Sequence, residues 1–268
     1  LKRRRFEDKV VVITGGASGI GLATARRFAR ADAVCALLDL DEEALARCEE
    51  EFADSGHPVM IQPCDVTSKE ECMAAMDVVI ERFGGIDLLF NNAGITQRSR
   101  FVETKTEVYE KVMAVNFFGS LYCTKAAIES LVERRGMIVV NESLAGVAPL
   151  VGRTGYSASK HALHGLFTSL RAELKGKGVD VMIVCPGFIQ TNLQKRALGG
   201  DGRITTRPQS FIGRQQSAQS AAEEIFRAAC KRKPMLVLTA MGKLGYLVSR
   251  IAPHFYERQM ARTFKAEL

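Results

Sequence analysis

Tyr156 and Lys160 stand four residues apart in the run Tyr156-Ser157-Ala158-Ser159-Lys160, near the start of a segment with helical periodicity. On a helix that spacing puts both side chains on one face. A free tyrosine has a pKa of about 10 and is a poor base at neutral pH. An ammonium beside it favours the phenolate and is expected to lower that value. Such a phenol can take a proton from a substrate hydroxyl, or return it in the reverse direction. Ser143 precedes Tyr156 by 13 residues and follows a predicted strand, where its hydroxyl can hold and polarise the substrate oxygen. A lone Tyr-x-x-x-Lys pair is usually a solvated helix face with a packing tyrosine, so further residues must carry the chemistry. His161 and His164 follow directly, but no third ligand stands at a sensible spacing. No metal site is expected, and both imidazoles are assigned to packing or to the surface.

A second constellation lies near the start. Thr14-Gly15-Gly16-Ala17-Ser18-Gly19-Ile20-Gly21 links a predicted strand directly to a predicted helix. Glycines let a backbone turn sharply and approach a pyrophosphate, whose charge is favoured at the helix N-terminus. The alternative is a tight turn with no ligand, but strand, loop and helix in this order are the context that a dinucleotide site requires. Asp39 ends the second predicted strand, 18 residues beyond Gly21. A carboxylate there can bind both ribose hydroxyls of an adenosine and would repel a 2′-phosphate. Ser18 stands where a basic residue would favour that phosphate. Both features point to NAD rather than NADP. Asp39 could instead cap the next helix, although Asp41 is the better candidate.

The elements that must position these residues follow from the apolar pattern. Short β-branched runs at 10–14, 33–38, 59–62, 86–90, 137–140, 179–185 and 236–239 predict strands. Amphipathic segments at 20–30, 42–52, 69–83, 108–133, 157–175 and 218–230 predict the helices between them. The alternation implies an α/β fold of Rossmann type, a doubly wound parallel sheet of about seven strands covered on both faces. We divide the chain into a basic tail at 1–5, a catalytic domain at 6–240 and a helical extension at 241–268. The stretch 190–216 breaks the alternation and carries Gly199, Gly200, Gly202 and Gly213, which marks it as a candidate lid.

Composition narrows the class. The chain has 268 residues, 47% hydrophobic and 25% charged, which excludes disorder. No apolar run is long enough to span a bilayer. The net charge of +7 is concentrated in the first five residues and the last third, with too few aromatics to form a nucleic-acid stacking surface. The seven cysteines contain no Cys-x-x-Cys pair and are odd in number, so neither a disulfide framework nor a zinc site is expected. They read as buried small apolar residues of a reduced compartment. The basic start lacks an apolar core before Glu7 and Asp8, and no secretory signal is read there. The expected location is cytoplasmic.

Taken together, these motifs resemble the classical short-chain dehydrogenase/reductase (SDR) family. The resemblance rests on Gly15, Gly19 and Gly21, then Cys64-Asp65-Val66, Asn91-Asn92-Ala93-Gly94, Asn116, Ser143, Tyr156 with Lys160, and Pro186-Gly187. It covers roughly residues 6–240, and several ordered motifs are far more specific than one. It implies that Asp65 and Val66 contact the adenine, and that Asn92, Ala93 and Gly94 flank the cofactor. Pro186, Gly187, Ile189 and Thr191 are implied on the nicotinamide side. Lys160 would bond the nicotinamide ribose, and Asn116 would hold a water linking Lys160 to solvent. The implied assembly is a homodimer or homotetramer. One departure stands out. Val140-Asn141-Glu142-Ser143 places Glu142 where the family often has a serine.

The implied function is NAD(H)-dependent interconversion of a secondary alcohol and a ketone. A 3-oxoacyl-thioester reductase and a non-catalytic NAD(H) sensor are the alternatives. Leu144, Leu150, Val151, Phe188 and Leu193 form an apolar candidate pocket wall, which suits a lipid-like or steroid-like substrate. Lys195, Arg196, Arg203, Arg207 and Arg214 are assigned to a solvated loop face ahead of an anionic-substrate site. In the extension, Leu244, Leu247, Val248 and Ile251 recur at helical spacing beside Lys243, Arg250, Arg258 and Arg262, and Pro253 splits the segment. Packing on the protein, closure of the substrate pocket, and peripheral contact with an anionic membrane all fit that pattern.

Overall fold

The computed structural model describes residues 4–148, 150–210 and 215–265. Residues 1–3 of the basic tail, Gly213 and Arg214 of the candidate lid, and residues 266–268 lie outside the described residues. Strand β1 (Val10–Thr14) and helix α1 (Gly19–Ala29) bracket the glycine loop; β2 (Val34–Asp39), α2 (Glu42–Asp54), β3 (Met60–Pro63) and α3 (Lys69–Phe83) complete the first half. The second half begins with β4 (Leu88–Asn91), α4 (Thr106–Met113), α5 (Gly119–Glu133) and β5 (Met137–Asn141). It continues with α6 (Thr154–Leu174), β6 (Asp180–Cys185) and two short strands, β7 (Ile189–Gln190) and β8 (Gln216–Ser217). Helix α7 (Ala218–Cys230), strand β9 (Met235–Val237) and helices α8 (Ala240–Ile251) and α9 (Pro253–Thr263) follow.

Seven strands form one parallel sheet in the order β3-β2-β1-β4-β5-β6-β9. Side chains alternate between its two faces because the strand period is two. Val11 and Ile13 join a core with Phe28 of α1, Leu45 and Phe52 of α2, and Ile225 of α7. Val10 and Val12 join the opposite core with Met76 of α3, Leu131 of α5 and Phe167 of α6. The strand order reverses between β1 and β4. A crevice opens there beyond the strands' carboxyl ends, the usual ligand position of a doubly wound sheet.

Three details depart from the periodicity. The helix expected over 108–133 is two helices joined by a π-helical turn, Ala114–Phe118, which carries Asn116 inward. Such turns insert one extra residue and redirect a side chain, often at a functional site. The last strand ends at Val237 rather than residue 239, because Thr239 takes φ 66° and caps α8 by accepting a hydrogen bond from Gly242 N at 3.0 Å. The stretch 190–216 is anchored within its described part. The β7–β8 pair closes its base, and Leu198, buried, bridges Gln97 and Ile204.

None of the seven cysteines stands in a disulfide, and six of them are buried. Among the described residues no group of ligating side chains fits a metal ion, and no helix is long and apolar enough to cross a membrane.

Candidate active site

The glycine loop is shaped by contacts that only glycine allows. Gly15 and Gly19 take φ +61° and +55°, and a Cβ on Gly15 would stand 2.9 Å from the Ala93 backbone. Thr14 holds the facing turn: its hydroxyl accepts hydrogen bonds from Asn92 N and Ala93 N at 3.0 and 3.1 Å. Asn92 Nδ2 donates to the carbonyls of Thr14 and Gly15, both at 3.0 Å. The two turns at the switch point are thereby locked together.

Asp39 is less free than the sequence implied. Its carboxylate accepts from Ala17 N at 3.0 Å and Asp41 N at 3.2 Å, which ties it to the glycine loop. Asp41 caps α2 by accepting from Ala44 N. A carboxylate has about four acceptor positions, so Asp39 retains capacity for ribose hydroxyls. Asp65 closes its own turn by accepting from Thr67 N and Oγ1 at 2.9 and 2.8 Å.

The acid/base end sits across β5. Helix α6 begins at Thr154, so Tyr156 lies in its first turn and Lys160 one turn on. Both are buried, and Lys160 Nζ lies 5.6 Å from the Tyr156 ring centroid. Ser143 caps a short 3-10 turn, Leu144–Gly146, by accepting from Ala145 N at 3.1 Å, and its hydroxyl shares the cavity wall with Tyr156, where it favours the ionised phenol. Lys160 Nζ donates to the Asn141 carbonyl at 2.8 Å, and Asn141 Nδ2 donates to Asn92 Oδ1 at 2.8 Å. One chain of hydrogen bonds thus runs from Lys160 to the glycine loop.

The electrostatics correct one expectation. Burial pushes the Tyr156 phenol above its ordinary value, against the opposing effects of Ser143 and Arg153, and the expected net lowering by Lys160 is absent. Burial also lowers the Lys160 ammonium to about 8, although Glu142 works against that shift. Desolvation outweighs the local cation because both groups lie in the same dry wall.

A single cavity of about 830 Å³ joins the two ends. Gly15, Ser18, Gly19, Ile20 and Asp39 line it on the glycine-loop side. Asp65, Val66, Asn92, Ala93 and Gly94 line its middle. Ser143, Tyr156, Lys160, Pro186, Gly187, Ile189 and Thr191 line the far end. Leu144, Leu150, Phe188 and Leu193 extend the wall, as the apolar pattern suggested. Gly21 and Asn116 stand behind the wall. Gly21 packs on the Gly15 carbonyl, and Asn116 pins Ile95 by accepting from its N at 2.8 Å and donating to its O at 3.0 Å. Val151 is not in the wall; its N donates to Met260 S.

The cradle suits a dinucleotide. It is long, its glycine loop lies at a helix N-terminus, and its backbone tolerates no Cβ at Gly15 or Gly21.

Sequence reasoning missed several contributors. Arg153 is buried in the cavity wall and acts on Tyr156, yet nothing in its local sequence marks it. Glu142, in sequence only a departure from the family pattern, is buried and paired with His164, an imidazole that the sequence assigns to packing or the surface. Met241, Leu244, Val248, Phe255 and Met260 of α8 and α9 also line the cavity. For Leu244 and Val248 closure of the substrate pocket is one of the alternatives that the helical spacing leaves open; the spacing does not mark Met241, Phe255 or Met260.

A doubly wound sheet with a glycine loop at the switch point and a Ser-Tyr-Lys set at the end of β5 defines a dinucleotide-dependent oxidoreductase fold. Residues 9–200 match the short chain dehydrogenase family, and the chain belongs to the short-chain dehydrogenase/reductase family. It is 36% identical over 270 residues to dehydrogenase/reductase SDR family member 7B of Rattus norvegicus, covering 98% of this chain and 83% of that protein. It is 32% identical over 266 residues to dehydrogenase/reductase SDR family protein 7-like of Drosophila melanogaster, covering 97% and 82%. Among solved structures, a short-chain dehydrogenase/reductase from Burkholderia phymatum in complex with NAD superposes with a TM-score of 0.81 at 26% identity, covering 96% of each chain. A short-chain dehydrogenase from Streptomyces avermitilis gives a TM-score of 0.81 at 27% identity, covering 97% of this chain and 98% of that one.

Proposed function

We propose that this protein interconverts a hydrophobic secondary alcohol and its ketone with NAD(H). The observation that carries this reading is the meeting of Ser143, Tyr156 and Lys160 in the wall of an apolar cavity continuous with the glycine loop. NAD, when bound, supplies the ring that takes up or returns the hydride. Ser143 Oγ holds the substrate oxygen, and Tyr156 Oη moves the proton. Lys160 Nζ, fixed on the Asn141 carbonyl, supplies positive charge beside the phenol. A raised phenol is protonated at neutral pH and suits donation to a ketone; oxidation needs added positive charge to release the phenolate. A panel of secondary alcohols and ketones, from small polar ones to sterols and 3-oxoacyl thioesters, tests the reading with each cofactor. Turnover of one apolar class supports it. Tight NADH binding with no turnover overturns it in favour of a sensor.

NAD is preferred on the strength of Asp39, a carboxylate in the cavity lining beside the glycine loop. The Burkholderia phymatum structure holds NAD in the same fold. We expect Asp39→Ala to shift preference toward NADP by at least about tenfold in kcat/KM, as loss of a charged hydrogen bond and of repulsion implies. One feature favours the opposite reading. A small polar cleft of about 170 Å³ beside Asp39 is lined by Ser18, Arg47 and Arg196, groups able to meet a 2′-phosphate. If NADP is the natural cofactor, Arg196→Ser lowers its use and Asp39→Ala leaves the preference unmoved.

The extension supports an apolar substrate. Leu244, Leu247, Ile251 and Phe255 are 53%, 53%, 73% and 57% exposed, and Leu244 and Phe255 reach the cavity. We expect Leu244→Ser with Phe255→Ser to raise KM for long apolar substrates by about tenfold while leaving small alcohols nearly unchanged. Equal loss for both classes sinks this reading. Lys243, Arg250, Arg258 and Arg262 flank the same stripe, so peripheral contact with an anionic bilayer is read in the same variant by co-sedimentation with phosphatidylserine vesicles.

A further inference from the structure

Tyr156, Lys160 and His164 succeed one another at intervals of four residues and form one stripe along α6. The end of β5 runs beside this stripe. Ser143 meets Tyr156, the Asn141 carbonyl meets Lys160, and Glu142 meets His164, with Nδ1 3.2 Å from Oε2. The Glu142 side chain is 0% exposed, whereas that of His164 is 25% exposed. Glu142 is therefore a buried carboxylate with a route to solvent through an imidazole.

Space has been made for it. A Cβ on Gly146 would stand 2.0 Å from Glu142 Oε1, so the carboxyl group occupies the room left by that glycine. Its backbone is fixed as well, because Glu142 N donates to the Val184 carbonyl at 2.9 Å. A carboxylate held this deeply is costly unless it compensates charge. The charged and titratable groups facing it are Tyr156, Lys160, His161, His164 and Arg171 on α6, and Cys185 on β6.

We propose that Glu142 and His164 are a positioning pair that sets the charge state of the Tyr156–Lys160 couple, with His164 as the solvent-facing end. The inference rests on the acid/base assignment of Tyr156 made above. Burial raises Glu142, while His164 and Lys160 hold it down. Ionised Glu142 in turn raises both Lys160 and Tyr156. It keeps the ammonium charged against desolvation and keeps the phenol protonated. Glu142 stands in the same cavity wall as Ser143, Tyr156 and Lys160, and His164 is the more exposed member of the pair.

The sign of the effect is fixed. Glu142→Gln removes the negative charge and keeps the shape, so both the Tyr156 and Lys160 titrations move to lower pH. At an effective dielectric of about 20, a charge several ångströms away shifts a titration by on the order of one unit. In the cofactor-free protein, tyrosinate absorbance is followed against pH, and the signal of Tyr156 is isolated by subtracting Tyr156→Phe. We expect Glu142→Gln to lower that titration by about one unit, and to move the alkaline limb of reductive turnover down by a similar amount. His164→Asn withdraws the group that keeps Glu142 ionised, so it shifts both in the same direction. The double variant shifts no further than Glu142→Gln alone. Unmoved titrations with only reduced amplitude or melting temperature overturn the proposal, as do additive shifts. If Glu142→Gln fails to fold, His164→Asn, at a partly exposed side chain, decides by the same readings. The absorbance titration needs no turnover, so its outcome is separate from the fate of the proposed reaction.

Discussion

Tyr156→Phe is expected to reduce kcat by about a thousandfold or more in both directions while leaving NADH binding within about twofold. The magnitude follows from the usual contribution of a positioned general acid or base, about 10²–10⁴-fold. The substitution removes one oxygen and leaves the ring in its place. Tyr156 N still donates to Gln97 Oε1, and the ring keeps its packing beside Lys160. The glycine loop, which holds the far end of the cavity, is untouched. What is lost is the hydroxyl of the ring that lies beside the Lys160 cation and shares the cavity wall with Ser143. Fluorescence titration with NADH and steady-state rates on one substrate suffice. Residual turnover above about a tenth of wild type removes Tyr156 from proton transfer. A KM-only effect would instead make it a binding group.

The parts of the site legible in the sequence were those whose geometry is local. Gly15, Gly19 and Gly21 bend one loop, and Tyr156 and Lys160 share one helix face, so spacing alone states their relation. The sheet was legible because a parallel strand buried on both faces must be a short apolar run, and seven such runs alternate with helices. The small β7–β8 pair was not, since two residues per strand leave no period to read.

Relations between distant segments stayed hidden. Glu142 and His164 are 22 residues apart and meet only because β5 and α6 pack in one particular register. Arg153 stands at the start of α6, three residues before Tyr156, and what the sequence does not show is its burial in the same wall. Asn116 is turned inward by a π-helical turn inside a segment whose apolar pattern reads as continuous helix. The Tyr156 phenol lies above its ordinary value rather than below it because spacing reveals a neighbouring charge but not the depth of burial, and here burial is the larger effect. The sequence leaves Asp39 free once Asp41 takes the cap; the bond that Asp39 accepts from Ala17 N depends on how closely β2 approaches the glycine loop.

Gly21→Ala is expected to weaken cofactor binding by about tenfold and to lower the melting temperature by several degrees. A Cβ at Gly21 would stand 2.2 Å from the Gly15 carbonyl oxygen and 2.6 Å from Asn92 Nδ2. Neither neighbour can retreat cheaply. The first is backbone in a loop already held at φ +61°. The second is the amide that ties that loop to the turn after β4 and, through Asn141, to Lys160. Relieving the clash must open the cradle or break this chain, and overpacking of this kind costs about 1–3 kcal/mol. Gly165→Ala is the control. It lies exposed in the interior of α6, and nothing stands within 4 Å of its Cβ position. There alanine should raise stability by about 0.5–1 kcal/mol through helix propensity, with cofactor binding unchanged. Isothermal titration with NADH and thermal melts of both variants separate the two effects. If Gly21→Ala binds NADH like wild type, the loop is not the pyrophosphate cradle, and the dinucleotide reading of the first strand and helix falls with it.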